Sequence, residues 1–128
     1  MKELNAFMND LFKPNEKLYR AVYPPEVVAM FWRKDGTISS AAFADAKGLS
    51  VDRGNHRPDS SVIEAMRKKF TGHIIYLYVK NCLDIGASVK YLPSKNNPYH
   101  SEIHGNETTP LLSKSQRLYL SKHAIILA

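Results

Sequence analysis

Residues 73–79 constrain the fold of this chain more than any other segment. The run from His73 to Val79 carries apolar or aromatic side chains at nearly every position, so a strand formed here is apolar on both faces. Such a strand lies in the middle of a sheet, where covering elements exclude water from both sides. The sequence therefore predicts a sheet in which this segment is the core strand.

Shorter segments supply the other strands of that sheet. Residues 18–23 and 49–53 are rich in strand-forming side chains, and residues 87–91 alternate between apolar and polar side chains. Residues 37–43 follow an Asp-Gly turn and are predicted to be extended, and residues 124–127 are short, branched and apolar. These patterns predict a meander of short strands rather than a helical bundle.

Helices are predicted between the strands. Ser61 and Glu64 have the spacing of a capping box, Gly72 is placed to stop the helix that they open, and Pro110 suits the first turn of a later helix. Residues 25–31 begin after two prolines and fit either a short helix or a strand. The predicted helices are residues 4–12, 25–31, 61–71 and 110–122.

Together these elements predict one α+β domain over residues 1–128, with a mixed or mainly antiparallel sheet flanked by three to four helices. A chain of 128 residues that is 44% hydrophobic can bury a core without disulfides or metal ions. The single cysteine, Cys82, cannot form an internal disulfide, which favours a reducing compartment such as the cytoplasm. Every apolar run is too short for a membrane-spanning helix, which predicts a protein without a membrane partner.

The positive charge of the chain is concentrated in its second half. The formal net charge is +6, and residues 65–128 carry all of it, with nine Lys and Arg against three Asp and Glu. A polarised basic surface favours a polyanionic partner such as nucleic acid or an acidic protein. The alternative is a set of solvated lysines without a partner, because no dense Lys/Arg block is present.

Motifs of the common nucleotide-binding and hydrolase families are absent from the sequence. It contains no GxxxxGK[ST], GxGxxG, HExxH, CxxC or GxSxG pattern. The sequence alone therefore identifies neither a reaction nor a cofactor, and candidate residues have to be chosen by their chemistry.

The segment around residues 99–105 gathers the most reactive side chains. In an extended chain His100, Glu102 and His104 lie on one face. Two imidazoles and a carboxylate could bind one metal ion through His100 and His104, or Glu102 could orient His100 as a catalytic acid or base. The third interpretation is a solvated polar strand face.

Arg20 is the second candidate. It shares a strand face with Leu18 and Val22, and an arginine on an apolar face is usually either ion-paired or functional, because an unpaired buried charge is costly. If Arg20 points into a cleft, it is suited to bind a phosphate or carboxylate. An edge arginine that reaches water is the alternative.

Further polar residues could line the same cleft. Ser39 and Ser40 supply hydroxyl groups, and Arg53, His56 and Arg57 supply positive charge for phosphate groups. The alternative is that the serines are structural and that the loop cations are merely solvated.

Residues 18–22, 38–43, 49–53 and 97–105 resemble a family of small uncharacterised bacterial proteins, and the likeness spans most of the chain after the first helix. The order of residues is also similar, more faintly, to ADP-ribosyltransferase-like folds. That resemblance implies NAD held by an arginine of the first strand, a serine-bearing strand and a later glutamate. The matching residues here are Arg20, Ser39 or Ser40, and Glu102 or Glu107.

The sequence thus supports three functional hypotheses. The first is a binding or accessory module for nucleic acid or a nucleotide, with Arg20 and His100 beside the basic surface. The second is an enzyme that acts on a nucleotide or another phosphate-bearing substrate, with Glu102 as the partner of His100. The third is a metal-binding protein that uses His100, Glu102 and His104.

Overall fold

The computed structural model describes residues 12–128. Of the helix predicted over residues 4–12, only Phe12 belongs to this part, so that prediction lies outside the described residues.

Six strands form one sheet in which every neighbouring pair is antiparallel. The strands are β1 (Lys17–Val22), β2 (Leu49–Arg53), β3 (His73–Tyr78), β4 (Ser88–Tyr91), β5 (His100–His104) and β6 (Ile125–Ile126). Their order across the sheet is β4-β5-β2-β1-β3-β6. The predicted α+β class is confirmed, and the pairing among the described residues is antiparallel rather than mixed.

Three α-helices accompany the sheet in the described part of the chain: α1 (Asp59–Arg67), α2 (Val79–Leu83) and α3 (Lys114–His123). Two short 3-10 helices, Ala29–Phe31 and Ser40–Phe43, lie between β1 and β2. None of these helices is both long enough and apolar enough to cross a membrane.

The two faces of the sheet carry separate hydrophobic clusters. On one face, called here the core face, side chains such as Leu18, Leu77 and Ile103 pack with Phe43 and with Leu120 of α3. On the opposite face, called the α1 face, Tyr19 and Ile74 pack against Val62 and Met66 of α1. Helix α1 thus packs on β1 and β3.

The strand predicted over residues 37–43 is wrong. Ile38 forms only an isolated bridge with Trp32, and residues 40–43 form a 3-10 helix. Ala42 and Phe43 are consecutive and both buried, which a helical turn allows and an alternating strand does not. Residues 25–31 likewise form neither a full helix nor a strand, but a turn followed by three residues of 3-10 helix.

Two helix starts also differ from their predictions. Helix α1 begins at Asp59 after Pro58, and no side chain caps it, so the Ser61–Glu64 capping box is not formed. Helix α3 begins at Lys114 instead of residue 110, because Ser113 and Gln116 form a reciprocal capping box there, with Ser113 Oγ accepting from the Gln116 amide.

Candidate functional site

Arg20 lies where the two central strands separate. Strands β1 and β2 pair only at Leu18–Arg53 and Tyr19–Asp52, whereas β1 pairs with β3 along its whole length. Arg20 is the first β1 residue beyond the last β1–β2 pair. Its Nη1 donates to the carbonyl oxygen of Ser50 on β2 at 2.9 Å, so the side chain spans the gap between the strands.

The guanidinium of Arg20 is poorly compensated. Among the described residues, Ser50 provides its only hydrogen-bond acceptor, no carboxylate lies within ion-pair distance, and its Nε is buried without a partner. Burial lowers the pKa of Arg20, and the more distant charge of Asp45 acts in the opposite direction. An arginine keeps its proton at neutral pH. A positive charge is therefore held here, and no carboxylate among the described residues lies close enough to form an ion pair with it.

A cavity of about 230 Å³, called here the Arg20 cavity, opens at this gap. Arg20 and Ala21 of β1, the β2 residues 50–52, and His100 of β5 line it. It is also lined by Tyr19 of β1, by Met66 of α1, by Phe70 just after α1, and by Asn97 from the loop before β5. The structure therefore brings Arg20 and His100 together, as the sequence hypotheses require.

Glu102 joins the two histidines of β5. Its Oε1 lies 2.8 Å from His104 Nε2, and its Oε2 lies 3.4 Å from His100 Nε2. Both imidazoles are partly buried, with the His104 side chain 13% and the His100 side chain 27% exposed. The carboxylate is therefore placed to orient both rings, and the more exposed ring is the one at the cavity.

The turn before β2 closes over this chain of side chains. Gly48 has a φ of +105°, and a Cβ atom at this position would lie 2.6 Å from His104 Nε2 and 2.8 Å from Glu102 Oε1. Within residues 12–128, no group of three His, Cys, Asp or Glu side chains is arranged to hold a metal ion. The geometry favours a hydrogen-bonded His–Glu–His chain over a metal site.

Ser39 and Ser40 are not brought to the Arg20 cavity. Both lie at the start of the 3-10 helix between β1 and β2, and Ser39 Oγ donates to the Met30 carbonyl oxygen at 2.6 Å. This segment is not a strand, so Ser39 and Ser40 do not supply the serine-bearing strand implied by the ADP-ribosyltransferase-like resemblance. Glu107 lies outside the strands and pairs with Lys90 at 3.4 Å.

Arg53 is buried and forms an ion pair with Glu16. Its Nη2 and Nε contact the two carboxylate oxygens of Glu16 at 2.7 and 2.8 Å, and its side chain is 3% exposed. The rings of Phe12 and Tyr91 lie 4.4 and 5.1 Å from the guanidinium carbon. The binding role predicted for Arg53 gives way to a structural one.

Arg57 and His56 also lie apart from Arg20. Arg57 donates to the carbonyl oxygens of Gly54 and Arg53 at 3.0 and 2.7 Å and stacks 3.4 Å from the centre of the Tyr99 ring. His56 is exposed in the same tight turn, with a φ of +67°. Neither residue lines the Arg20 cavity.

Sequence reasoning missed the remaining lining residues. Asp52 lies on β2 between Tyr19 and His100, and its carboxylate accepts from Asn97 Nδ2 at 2.8 Å. Asn97 lies in the loop before β5, and Phe70, inside the helix predicted over residues 61–71, follows α1 and is 44% exposed. The alternating pattern of β2 could have placed Asp52 on a polar face, but only the strand register places it at this cavity.

No family model, no curated protein and no solved structure matches the chain. The resemblances drawn from the sequence stay predictions, and the function has to be inferred from the geometry of the site.

Proposed function

We propose that the protein is a binding module for a polyanion, either a nucleotide or a nucleic-acid strand, and that a phosphate group of the ligand binds Arg20 in the Arg20 cavity. Arg20 provides the charge, and the His100 ring is a further polar group on the same cavity wall. The remainder of the basic surface would attract the polyanion through long-range electrostatics.

The observation that carries this proposal is the uncompensated guanidinium of Arg20. Its Nη1 donates to the Ser50 carbonyl oxygen, and its Nε is buried without an acceptor among the described residues. The same side chain lines the cavity between the two strands. Buried donors are nearly always satisfied, and a guanidinium matches the geometry of phosphate oxygens. A bound phosphate would supply both the missing acceptor and the missing negative charge.

Fluorescence anisotropy with labelled single-stranded RNA and DNA of about 12 nucleotides tests the proposal. If three phosphates of a single strand are neutralised, the Kd should rise roughly 20-fold between about 50 and 200 mM salt. Arg20→Gln should weaken binding at least about tenfold, because a charge-assisted hydrogen bond is lost.

Lys34→Gln is the matched control for this experiment. Lys34 is exposed in the turn before Gly36 and does not line the Arg20 cavity, and its substitution removes the same single charge. It should weaken binding by less than about twofold, since distant exposed charges are screened by salt. If neither these probes nor a free nucleotide such as AMP binds at low salt, or if both variants lose affinity equally, the proposal is refuted.

A second candidate function is hydrolysis of a phosphate ester, and the His100–Glu102 contact favours it. His100, oriented by Glu102, would accept the proton of an attacking water while Arg20 holds the phosphate. A bond from the water oxygen to phosphorus forms, the bond to the ester oxygen breaks, and the leaving oxygen takes a proton from solvent.

His100→Gln separates this candidate from simple binding. Under the hydrolytic hypothesis the variant should still bind the RNA probe but lose cleavage in a gel assay, whereas His123→Gln, an exposed change on α3, should keep both properties. An intact RNA probe after prolonged incubation with the unmodified protein would eliminate ester hydrolysis of this substrate.

A further inference from the structure

A second cavity adjoins the Arg20 cavity on the α1 face. It has a volume of about 290 Å³ and is lined by Ala21, Tyr23, Lys69, Phe70 and Thr71. Ala21 and Phe70 line both cavities, so the two cavities are neighbours that share a wall near the end of β1. Their combined volume lies within the range of small-molecule sites.

Two aromatic rings stand exposed along this second cavity. Tyr23 is 53% and Phe70 is 44% exposed, although aromatic side chains are usually largely buried. They come from different elements, since Tyr23 follows β1 and Phe70 follows α1. Among the ring contacts of the described residues, none joins Tyr23 to Phe70, so both rings keep faces available for a planar ligand.

The segment that carries Phe70 is held in place. The Phe70 amide donates to the Met66 carbonyl oxygen at 2.8 Å, and Lys69 Nζ donates to the Asn96 carbonyl oxygen at 3.0 Å. Gly72, with a φ of +101°, lies so close to the Val22 carbonyl that a Cβ atom would collide with it. The aromatic wall is therefore built on backbone contacts, which reduces the ordering entropy lost on binding.

We propose that Tyr23 and Phe70 bind a nucleobase whose 5′-phosphate lies at Arg20, so that the ligand is a nucleotide unit with an accessible base. This inference rests on the proposed phosphate-binding function. The small side chain of Ala21 lies where the two cavities meet and leaves room for the ribose, and the Asp52 carboxylate is an acceptor for ribose hydroxyl groups. Lys69 adds a positive charge beside the base.

The aromatic wall distinguishes this ligand from other phosphates. Inorganic phosphate and sugar phosphates have no planar group to cover Tyr23 and Phe70, and a duplex keeps its bases stacked inside. Stacking of a base on an aromatic side chain contributes strongly to single-strand binding and tolerates any base. Free nucleotides and unpaired strands both combine a phosphate group with an accessible base.

The experiment measures proton NMR spectra and Kd values for AMP, ribose 5-phosphate and a single-stranded oligoadenylate. For AMP, the base protons should shift upfield through the ring currents of the two aromatic residues. Tyr23→Leu should weaken AMP roughly tenfold and leave ribose 5-phosphate unaffected. Phe70→Leu, which changes the wall of both cavities, should weaken AMP more than it weakens ribose 5-phosphate. Phe70→Tyr, which keeps an aromatic ring at the same position, should retain most of the affinity for AMP.

The outcomes separate the two proposals. If AMP and ribose 5-phosphate bind equally and the Leu variants change neither, the base site is refuted while phosphate binding at Arg20 stands. If none of the three ligands binds, both proposals fail. Tighter binding of the oligoadenylate than of AMP would identify an unpaired strand as the source of the nucleotide unit, and the reverse order would identify a free nucleotide.

Discussion

Substitution of Glu16 by Gln should destabilise the fold strongly. Glu16 accepts two hydrogen bonds from the Arg53 guanidinium, at 2.7 and 2.8 Å, and a third from the Asn55 amide at 3.0 Å. The two side chains are only 8% and 3% exposed. Gln removes the negative charge of this buried ion pair and places an amide donor against a guanidinium donor.

The expected loss is about 3–5 kcal/mol of unfolding free energy, the range for breaking a buried ion pair on one side. With an m-value of about 2 kcal/mol/M, the midpoint of urea unfolding should fall by roughly 1.5–2.5 M. Urea titration followed by circular dichroism measures this shift. The m-value should stay unchanged, because the surface exposed on unfolding is the same.

Two comparisons decide whether the reasoning is correct. Glu107→Gln breaks the exposed contact with Lys90 and should change stability by less than about 1 kcal/mol. The double variant Glu16→Gln, Arg53→Met removes both charges and should be less destabilised than Glu16→Gln alone. Equal stability of Glu16→Gln and Glu107→Gln would refute the structural role assigned to Arg53.

Two further predictions concern the α1 face. Gly48→Ala should destabilise the protein by about 1–3 kcal/mol more than Gly36→Ala in urea unfolding. Both glycines have a positive φ, but only at Gly48 would a Cβ atom collide with His104 and Glu102. Equal losses of stability in the two variants would contradict this close contact. The hydrogen bond from Tyr19 at 2.5 Å and the contact with Lys17 hold the pKa of Asp59 below its ordinary value. A carboxyl group with a lowered folded-state pKa stabilises the fold above its unfolded pKa of about 4, and this contribution is lost as the pH falls through the folded-state value. Tyr19→Phe should therefore flatten the acid side of the stability profile measured below about pH 4, and a profile parallel to that of the unmodified protein would argue against the bond.

Local patterns were sufficient to predict most of the sheet. Strand β2 has the predicted bounds because turn residues enclose it, with Gly48 before it and Gly54 after it. Strand β3 follows from its apolar run, and the buried Ile74, Ile75 and Leu77 agree with that pattern. Helix α2 was not predicted, since its five residues continue directly from β3 without a turn signal.

The site was only partly predictable, because its parts meet through tertiary contacts. Arg20 and His100 could be selected by residue type, but their common cavity depends on the point at which β1 and β2 separate. Arg53 looked equally suited to bind phosphate. Its partner, Glu16, lies 37 positions away in sequence, and no local pattern indicates which of two arginines such a carboxylate neutralises.

The contrast between these two arginines leads to a last prediction. Burial lowers the pKa of Arg20, which means that the folded state disfavours its charged form, and no carboxylate at ion-pair distance among the described residues offsets this. Removal of one partner of a structural charge pair is destabilising, but removal of an uncompensated charge relieves a desolvation penalty. Arg20→Met should therefore be as stable as the unmodified protein, or more stable, while it loses affinity for single-stranded RNA. Such an exchange of stability for function is common at binding sites. A loss of stability comparable to that of Glu16→Gln would instead assign Arg20 to the structural framework, through its bond to the Ser50 carbonyl oxygen.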